Sequence, residues 1–248
     1  MVNPVYLILG ATGGIGSTLA RQLATAGASL VLAARRADAL EALGAELGAT
    51  TVLTDATAPG DIDRAVTRTV ETFGRLDGAA NCIGSLLLKP AHLTSPEEFD
   101  EVITVNLRSA FSLVRSAART MMTNRDPAGG SIVLVASAAA RIGLANHEAI
   151  AAAKGGIVSL TLAAAASYGS KQVRVNCVAP GLVRTPLTAR ITGNSAAEQA
   201  SVAMHAIGRL GEAADVANAI EFLLSPSNSW ITGQTLGVDG GLGSLRSR

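Results

Sequence analysis

The sequence predicts an α/β protein: a single domain over residues 1–248, built on a doubly wound parallel sheet of seven strands. Three observations lead there. Short, continuously apolar runs alternate with segments of helical periodicity along the whole chain, the pattern of a parallel sheet covered on both faces. Hydrophobic residues make up 48 % and charged residues 16 %, the reverse of the balance that leaves a chain disordered. The first apolar run leads straight into a glycine cluster that opens a helix. Aromatics are only 3 %, so the core rests on Ala, Val, Leu and Ile, whose small side chains let helices and sheet approach closely.

In chain order, Val5–Leu9 reads as a strand ended by Gly10. Ile15–Ala26 follows as a helix closed by Gly27, a residue suited to the left-handed position after a helix. Leu30–Ala33 is a second strand, Ala37–Leu47 a second helix before Gly48, and Thr51–Leu53 a third strand. Ile62–Phe73 is a helix stopped by Gly74, and Ala79–Ala80 closes the fourth strand. Pro96–Met122 reads as one long helix entered through Thr94 and Ser95. Ile132–Val135, Val173–Val178 and Thr235–Val238 are the remaining strands, with helices over Ala149–Tyr168 and Asp215–Leu224. Right-handed crossovers then wind helices onto both faces. Thr188–Arg209, carrying Gly193, Asn194 and Ser195, is the one long irregular stretch, and its place after the sixth strand predicts a flap over a site.

Composition also narrows the partners. The formal net charge is +1 and the longest basic clusters are pairs such as Arg35-Arg36, so no nucleic-acid partner is expected. No apolar run approaches the roughly 20 residues that span a bilayer, and Met1-Val2-Asn3-Pro4 lacks the basic start of a signal peptide. The expectation is a cytoplasmic protein with no membrane partner. Cys82 and Cys177 show no metal-ligand pattern and read as reduced, buried thiols, so no metal site is predicted.

The turn Gly10-Ala11-Thr12-Gly13-Gly14-Ile15-Gly16 joins the first strand to the first helix. Glycines there let the backbone come close to a pyrophosphate, and the helix start offers free N–H groups and the positive end of its dipole. An acid ending the second strand would hydrogen-bond a ribose 2′-hydroxyl and repel a 2′-phosphate. Ala34 stands there instead, followed by Arg35 and Arg36, whose guanidinium groups favour the phosphate. NADP(H) is therefore expected over NAD(H).

The spacing Gly10-x3-Gly14-x-Gly16 resembles that of the short-chain dehydrogenase/reductase family, and the likeness runs over almost the whole chain. It implies a Rossmann fold. Asn81-Cys82-Ile83-Gly84 resembles the family's Asn-Asn-Ala-Gly turn, with Asn81 and Gly84 matching. Asp55 stands where the family has an acid beside the adenine. Pro180-Gly181-Leu182-Val183-Arg184-Thr185 resembles its Pro-Gly turn, which places Thr185 at the nicotinamide carboxamide. Gly237-Val238-Asp239-Gly240-Gly241 closes the chain as in many members. By the same resemblance the chain forms a homotetramer, for which the small-residue face Ala163–Ala166 is suited.

The family's catalytic Asn, Ser and Lys find counterparts in Asn106, Ser137 and Lys154. Four residues before the lysine the family has tyrosine; this chain has Ile150. A carbonyl that accepts hydride develops alkoxide charge and needs a proton donor within reach. Tyrosine serves once a nearby ammonium lowers its pKa, and lysine at i+4 shares its helix face. Isoleucine has no proton to give. General acid catalysis is worth about 10²–10⁴-fold, or about 3–5 kcal/mol of barrier. Ser137 can still polarise a carbonyl, and Lys154 can still hold the nicotinamide ribose. His147 is the replacement donor suggested by its place at the helix start and by imidazole's suitability as an acid. His205, in the flap, is a more distant candidate; Tyr6 reads as core, and Tyr168 lies about 20 Å down the helix from Lys154. Three functions stay open for a small-molecule substrate: an NADP(H)-dependent oxidoreductase of carbonyls or alcohols, a catalytically inactive NADP(H)-binding sensor or scaffold subunit, and reduction of an activated C=C or C=N bond that needs no tyrosine.

Overall fold

The computed structural model describes residues 3–126 and 128–245. Met1, Val2 and the last three residues of the predicted domain lie outside the described residues. The chain runs β1 (Val5–Leu9), α1 (Gly14–Thr25), β2 (Ser29–Ala34), α2 (Ala37–Leu47), β3 (Thr50–Leu53), α3 (Asp61–Phe73) and β4 (Gly78–Asn81). It continues through α4 (Pro96–Val102), a π-helical turn (Ile103–Arg108), α5 (Ser109–Met121), β5 (Gly130–Val135) and α6 (Glu148–Tyr168). Then come β6 (Val173–Pro180), β7 (Val183–Arg184), α7 (Ala189–Thr192), α8 (Ser195–Met204), β8 (Gly211–Glu212), α9 (Ala213–Leu224) and β9 (Thr235–Val238).

Seven strands form one parallel sheet in the order β3-β2-β1-β4-β5-β6-β9. The order reverses between β1 and β4, which pair from Tyr6 with Gly78 to Leu9 with Asn81. That switch opens a crevice beyond the strands' carboxyl ends, the place where ligands bind in such sheets. Two apolar layers flank the sheet. One packs α3, α5 and α6 on it through residues such as Val66, Leu113 and Ile157. The other packs α1 and α9 through Leu19, Leu23, Val216 and Ile220. β1 is buried along its whole length because it lies between both layers.

The predicted helix Pro96–Met122 is one run with a π-helical turn at its middle. Ser95 and Glu98 form a capping box at its start, with Pro96 in the first turn. A π turn breaks the ordinary backbone ladder, and side chains compensate here. Asn106 Nδ2 donates to Val102 O at 2.9 Å, and Ser109 Oγ donates to Val105 O at 2.7 Å.

The segment predicted as irregular, Thr188–Arg209, is largely helical, holding α7 and α8. Asn194, read from sequence as a loop marker, caps α8 by accepting from Ala197 N at 3.0 Å. The stretch Glu148–Lys171, which contains α6, is long and apolar enough to cross a membrane by length and composition, with a mean hydropathy of 1.6. It packs on β6 and the π turn as a core helix, burying Ile150, Ala153, Ile157, Thr161, Ala164 and Ala165.

Candidate active site

The glycine turn is shaped by close backbone contacts. Gly10 has φ +73°, and a Cβ on it would stand 2.9 Å from the carbonyl carbon and oxygen of Cys82. A Cβ on Gly16 would stand 2.3 Å from Gly10 O. Neither position admits a side chain. Gly13 caps α1 without a side-chain acceptor and no acid lies in the first turn. The amides there are left for an anionic ligand, as a dinucleotide pyrophosphate requires. Gly14 faces Thr185, whose methyl would lie 2.8 Å from a Cβ at that position, so the turns after β1 and β6 stand side by side.

Along one edge of this turn, Arg36 donates through Nη2 to Thr12 O at 3.1 Å. Arg35 is exposed beside it. Asp55 accepts from both the backbone and the hydroxyl of Thr57, at 2.9 and 2.7 Å. The Thr57 hydroxyl, and next its amide, hold the Asp55 carboxyl below its usual pKa, with a smaller contribution from the Arg35 charge.

On the other side lies a cavity of about 480 Å³. It brings together Gly13, Gly14, Ile15, Gly84, Ser137, His147, Ile150, Lys154, Pro180, Gly181, Val183 and Thr185. Gly10, Thr12, Gly16, Arg35, Arg36, Asp55, Asn81 and Asn106 are not part of its wall. The rest of the wall is mostly apolar, with Leu86, Leu88, Leu144, Leu187, Ile191 and Met204. Ile207, just beyond α8, is 65 % exposed and borders a separate cavity of about 250 Å³.

Ser137 ends the stretch after β5, and its Oγ accepts from Ala139 N at 3.1 Å, which leaves its proton free to donate. Lys154 projects from α6, and its Nζ donates to Val135 O at 2.9 Å, two residues before Ser137. Burial pushes its ammonium down to about 8. Burial pushes the Cys82 thiol up to about 12 and the Cys177 thiol up to about 11, so both stay protonated near neutral pH. Cys177 is buried as expected; Cys82 is only partly so and borders the cavity.

Ile150 is 3 % exposed and packs with Val102, Ala149 and Ala153, against Leu87, Ile103 and Leu107. His147 precedes α6, and its Nδ1 lies 2.7 Å from Ala145 O. A carbonyl only accepts, so Nδ1 carries a proton and Nε2 is the nitrogen left for a ligand. His205 cannot serve the same way, because both its nitrogens are bonded, to Ser201 O and to Leu182 N. Tyr6 is core, at 5 % exposure.

Asn106 is fully buried within the π turn. Its Oδ1 accepts from Ser85 N at 3.2 Å and its Nδ2 donates to Ser85 Oγ at 2.9 Å. Asn81 Nδ2 donates to Ser109 Oγ at 3.1 Å, and its Oδ1 accepts from Ile83 N at 3.0 Å. These bonds fix the loop after β4 that carries Gly84 to the cavity. Ser85 and Ser109 were not singled out from sequence. Their signal is spatial, because each partner lies more than twenty residues away.

A family model described as enoyl-(acyl carrier protein) reductase matches residues 10–243. The chain is 38 % identical over 246 residues to cyclohexanol dehydrogenase of Acinetobacter sp. (strain SE19), covering 96 % of this chain and 94 % of that protein. Among solved structures, 3-ketoacyl-(acyl-carrier-protein) reductase from Brucella melitensis complexed with NADH superposes with a TM-score of 0.90 at 32 % identity, covering 97 % of this chain and 98 % of that one. ElxO with NADP bound gives a TM-score of 0.90 at 26 % identity, covering 98 % of this chain and 100 % of that one. With the sheet order, the glycine turn and the cavity in agreement, the chain belongs to the short-chain dehydrogenase/reductase family of nicotinamide-dependent oxidoreductases.

Proposed function

We propose that the protein is an NADP(H)-dependent oxidoreductase that interconverts an uncharged, apolar ketone and its secondary alcohol, with proton donation that does not use tyrosine. One observation carries this reading: the start of α1, Ser137, His147 and Lys154 all border a single cavity whose remaining wall is mostly apolar. Apolar lining with a few convergent polar groups is how small-molecule sites select and orient ligands. The likeness to a cyclohexanol dehydrogenase supports the same substrate class.

The residues present suit a dinucleotide: uncapped amides at Gly14 and Ile15 in the first turn of α1, no acid directly after β2, and Arg35 exposed where a 2′-phosphate would lie. A bound NADPH supplies the hydride. Ser137 Oγ donates to the carbonyl oxygen and stabilises charge as it develops there. Lys154, held by Val135 O, orients the nicotinamide ribose. His147 acts as the imidazolium: Nδ1–H stays on Ala145 O while Nε2 gives its proton to the alkoxide, leaving the neutral ring to regain a proton from solvent. Ile150 stands where the family has tyrosine and contributes packing only. The protein works in the cytoplasm as a homotetramer; Phe111 and Leu162, each more than half exposed on α5 and α6, support burial between subunits.

The test is titration of the purified protein with NADPH and NADH, followed by turnover on uncharged cyclic ketones and on the same skeletons bearing a carboxylate. The reading expects tighter NADPH binding and turnover of the uncharged ketones. Tight NADPH binding without oxidation by any carbonyl or imine would favour the inactive sensor.

A further inference from the structure

His205 follows α8 and was expected in a mobile flap, yet it is only 3 % exposed. Its Nδ1 lies 2.7 Å from Ser201 O, and Leu182 N donates to its Nε2 at 3.2 Å. Ser201 O can only accept and Leu182 N can only donate, so one neutral tautomer satisfies both, with the proton on Nδ1. The ring needs room, and two glycines provide it. A Cβ on Gly181 would come within 2.5 Å of Nε2, and one on Gly240 within 3.5 Å of the imidazole. The backbone after the ring is pinned as well, since Ile207 N donates to Gly240 O at 3.0 Å.

These bonds join two walls of the cavity. Ser201 and Met204 belong to the roof contributed by α8. Leu182 belongs to the turn after β6, which leads through Val183 to Thr185 at the cofactor side. Among the described residues the His205 ring is the side-chain acceptor for Leu182 N, and an amide held away from water without an acceptor costs about 1–3 kcal/mol. We propose that His205 is a positioning residue that locks α8 to the Pro180–Thr185 turn and so sets the distance between the substrate roof and the nicotinamide side of the cavity. The proposal rests on the cofactor and substrate placement given above, but its geometry stands apart from any turnover.

Two variants separate this role from mere packing. His205→Leu keeps the bulk and loses the acceptor; His205→Gln keeps an acceptor near the Nε2 position. Expected for His205→Leu are about tenfold or faster hydrogen exchange at the Leu182 amide and about tenfold weaker NADPH binding, with the amides of β1 still protected. Where turnover is measurable, KM for the ketone rises more than kcat falls. His205→Gln restores both binding and protection to within about threefold. Equal impairment of the two variants, or unchanged exchange and NADPH affinity in His205→Leu, would overturn the proposal. Ring-nitrogen chemical shifts of the unsubstituted protein give a check that needs no variant: the proton is expected on Nδ1, and finding it on Nε2 would overturn the proposal. A protein that passes these tests but reduces no ketone contradicts the proposed reaction and leaves the lock intact.

Discussion

The two ends of the crevice are built on different principles. The proposed cofactor end, Gly10 to Gly16, is backbone: positive φ at Gly10, missing Cβ atoms and uncapped amides at the start of α1 define it. The proposed chemical end is side chains: Ser137, His147 and Lys154 reach the cavity from the loop after β5 and from the start and second turn of α6. A backbone site tolerates almost no substitution, because the contacts it needs are those any Cβ would destroy. A side-chain site can lose one member and keep the rest of its geometry. In the proposed reading Ile150 is such a loss: it packs into an apolar cluster while Lys154, one turn on, keeps its bond to Val135 O.

The largest expected effect breaks the backbone end. Gly16→Val places atoms within 2.3 Å of Gly10 O or closer. NADPH binding measured by calorimetry should be lost, with circular dichroism showing whether the sheet survives; retained affinity would mean the turn does not hold the cofactor. At the side-chain end, His147→Ala should slow single-turnover ketone reduction about 10²–10⁴-fold without changing NADPH affinity. An unchanged rate removes the imidazole from the mechanism. Ile150→Tyr should raise the same rate by tenfold or more, because Lys154 and Ser137 still flank the position; no gain would show the pocket remodelled around another acid.

A smaller effect sharpens the cofactor preference. Arg35→Ser should weaken NADPH about 10- to 100-fold, the value of a charge-assisted hydrogen bond, and leave NADH nearly unchanged. Equal losses for both would place the 2′-phosphate elsewhere. The smallest effect concerns Lys154. Its ammonium titrates near 8 in the folded chain, against 10.5 for the ordinary group. Between those values the unfolded chain binds the extra proton, so this residue's contribution to stability rises with pH from about 8 to 10.5. Both thiols act in the opposite sense above their ordinary pKa of 9. The comparison must therefore be with Lys154→Met. The difference in urea unfolding free energy should move in favour of the unsubstituted protein by on the order of 2 kcal/mol across that range. A difference independent of pH would mean that Lys154 is solvated.

What was legible in the sequence follows the same division. β1, the glycine turn and α1 could be read because apolar periodicity and glycine spacing are local signals. The doubly wound sheet followed from repeating that pattern. The π turn was not legible, since Ile103–Arg108 has the composition of any α-helix and its compensation comes from Asn106 and Ser109 side chains. Thr188–Arg209 was misread because Gly193 and Asn194 mark loops and helix caps alike. The role of His205 could not be seen, because Leu182 lies 23 residues before it and only the fold brings them together. Ser137, His147, Ile150 and Lys154 were found as positions; their shared cavity wall required the structure.

The most direct test of this account is a crystal structure of the protein with NADPH. It should show the pyrophosphate on the amides of Gly14 and Ile15, the 2′-phosphate at Arg35, and the reactive face of the nicotinamide turned toward Ser137. A nucleotide bound elsewhere, or a nicotinamide separated from Ser137 by the side chains of the flap, would contradict it.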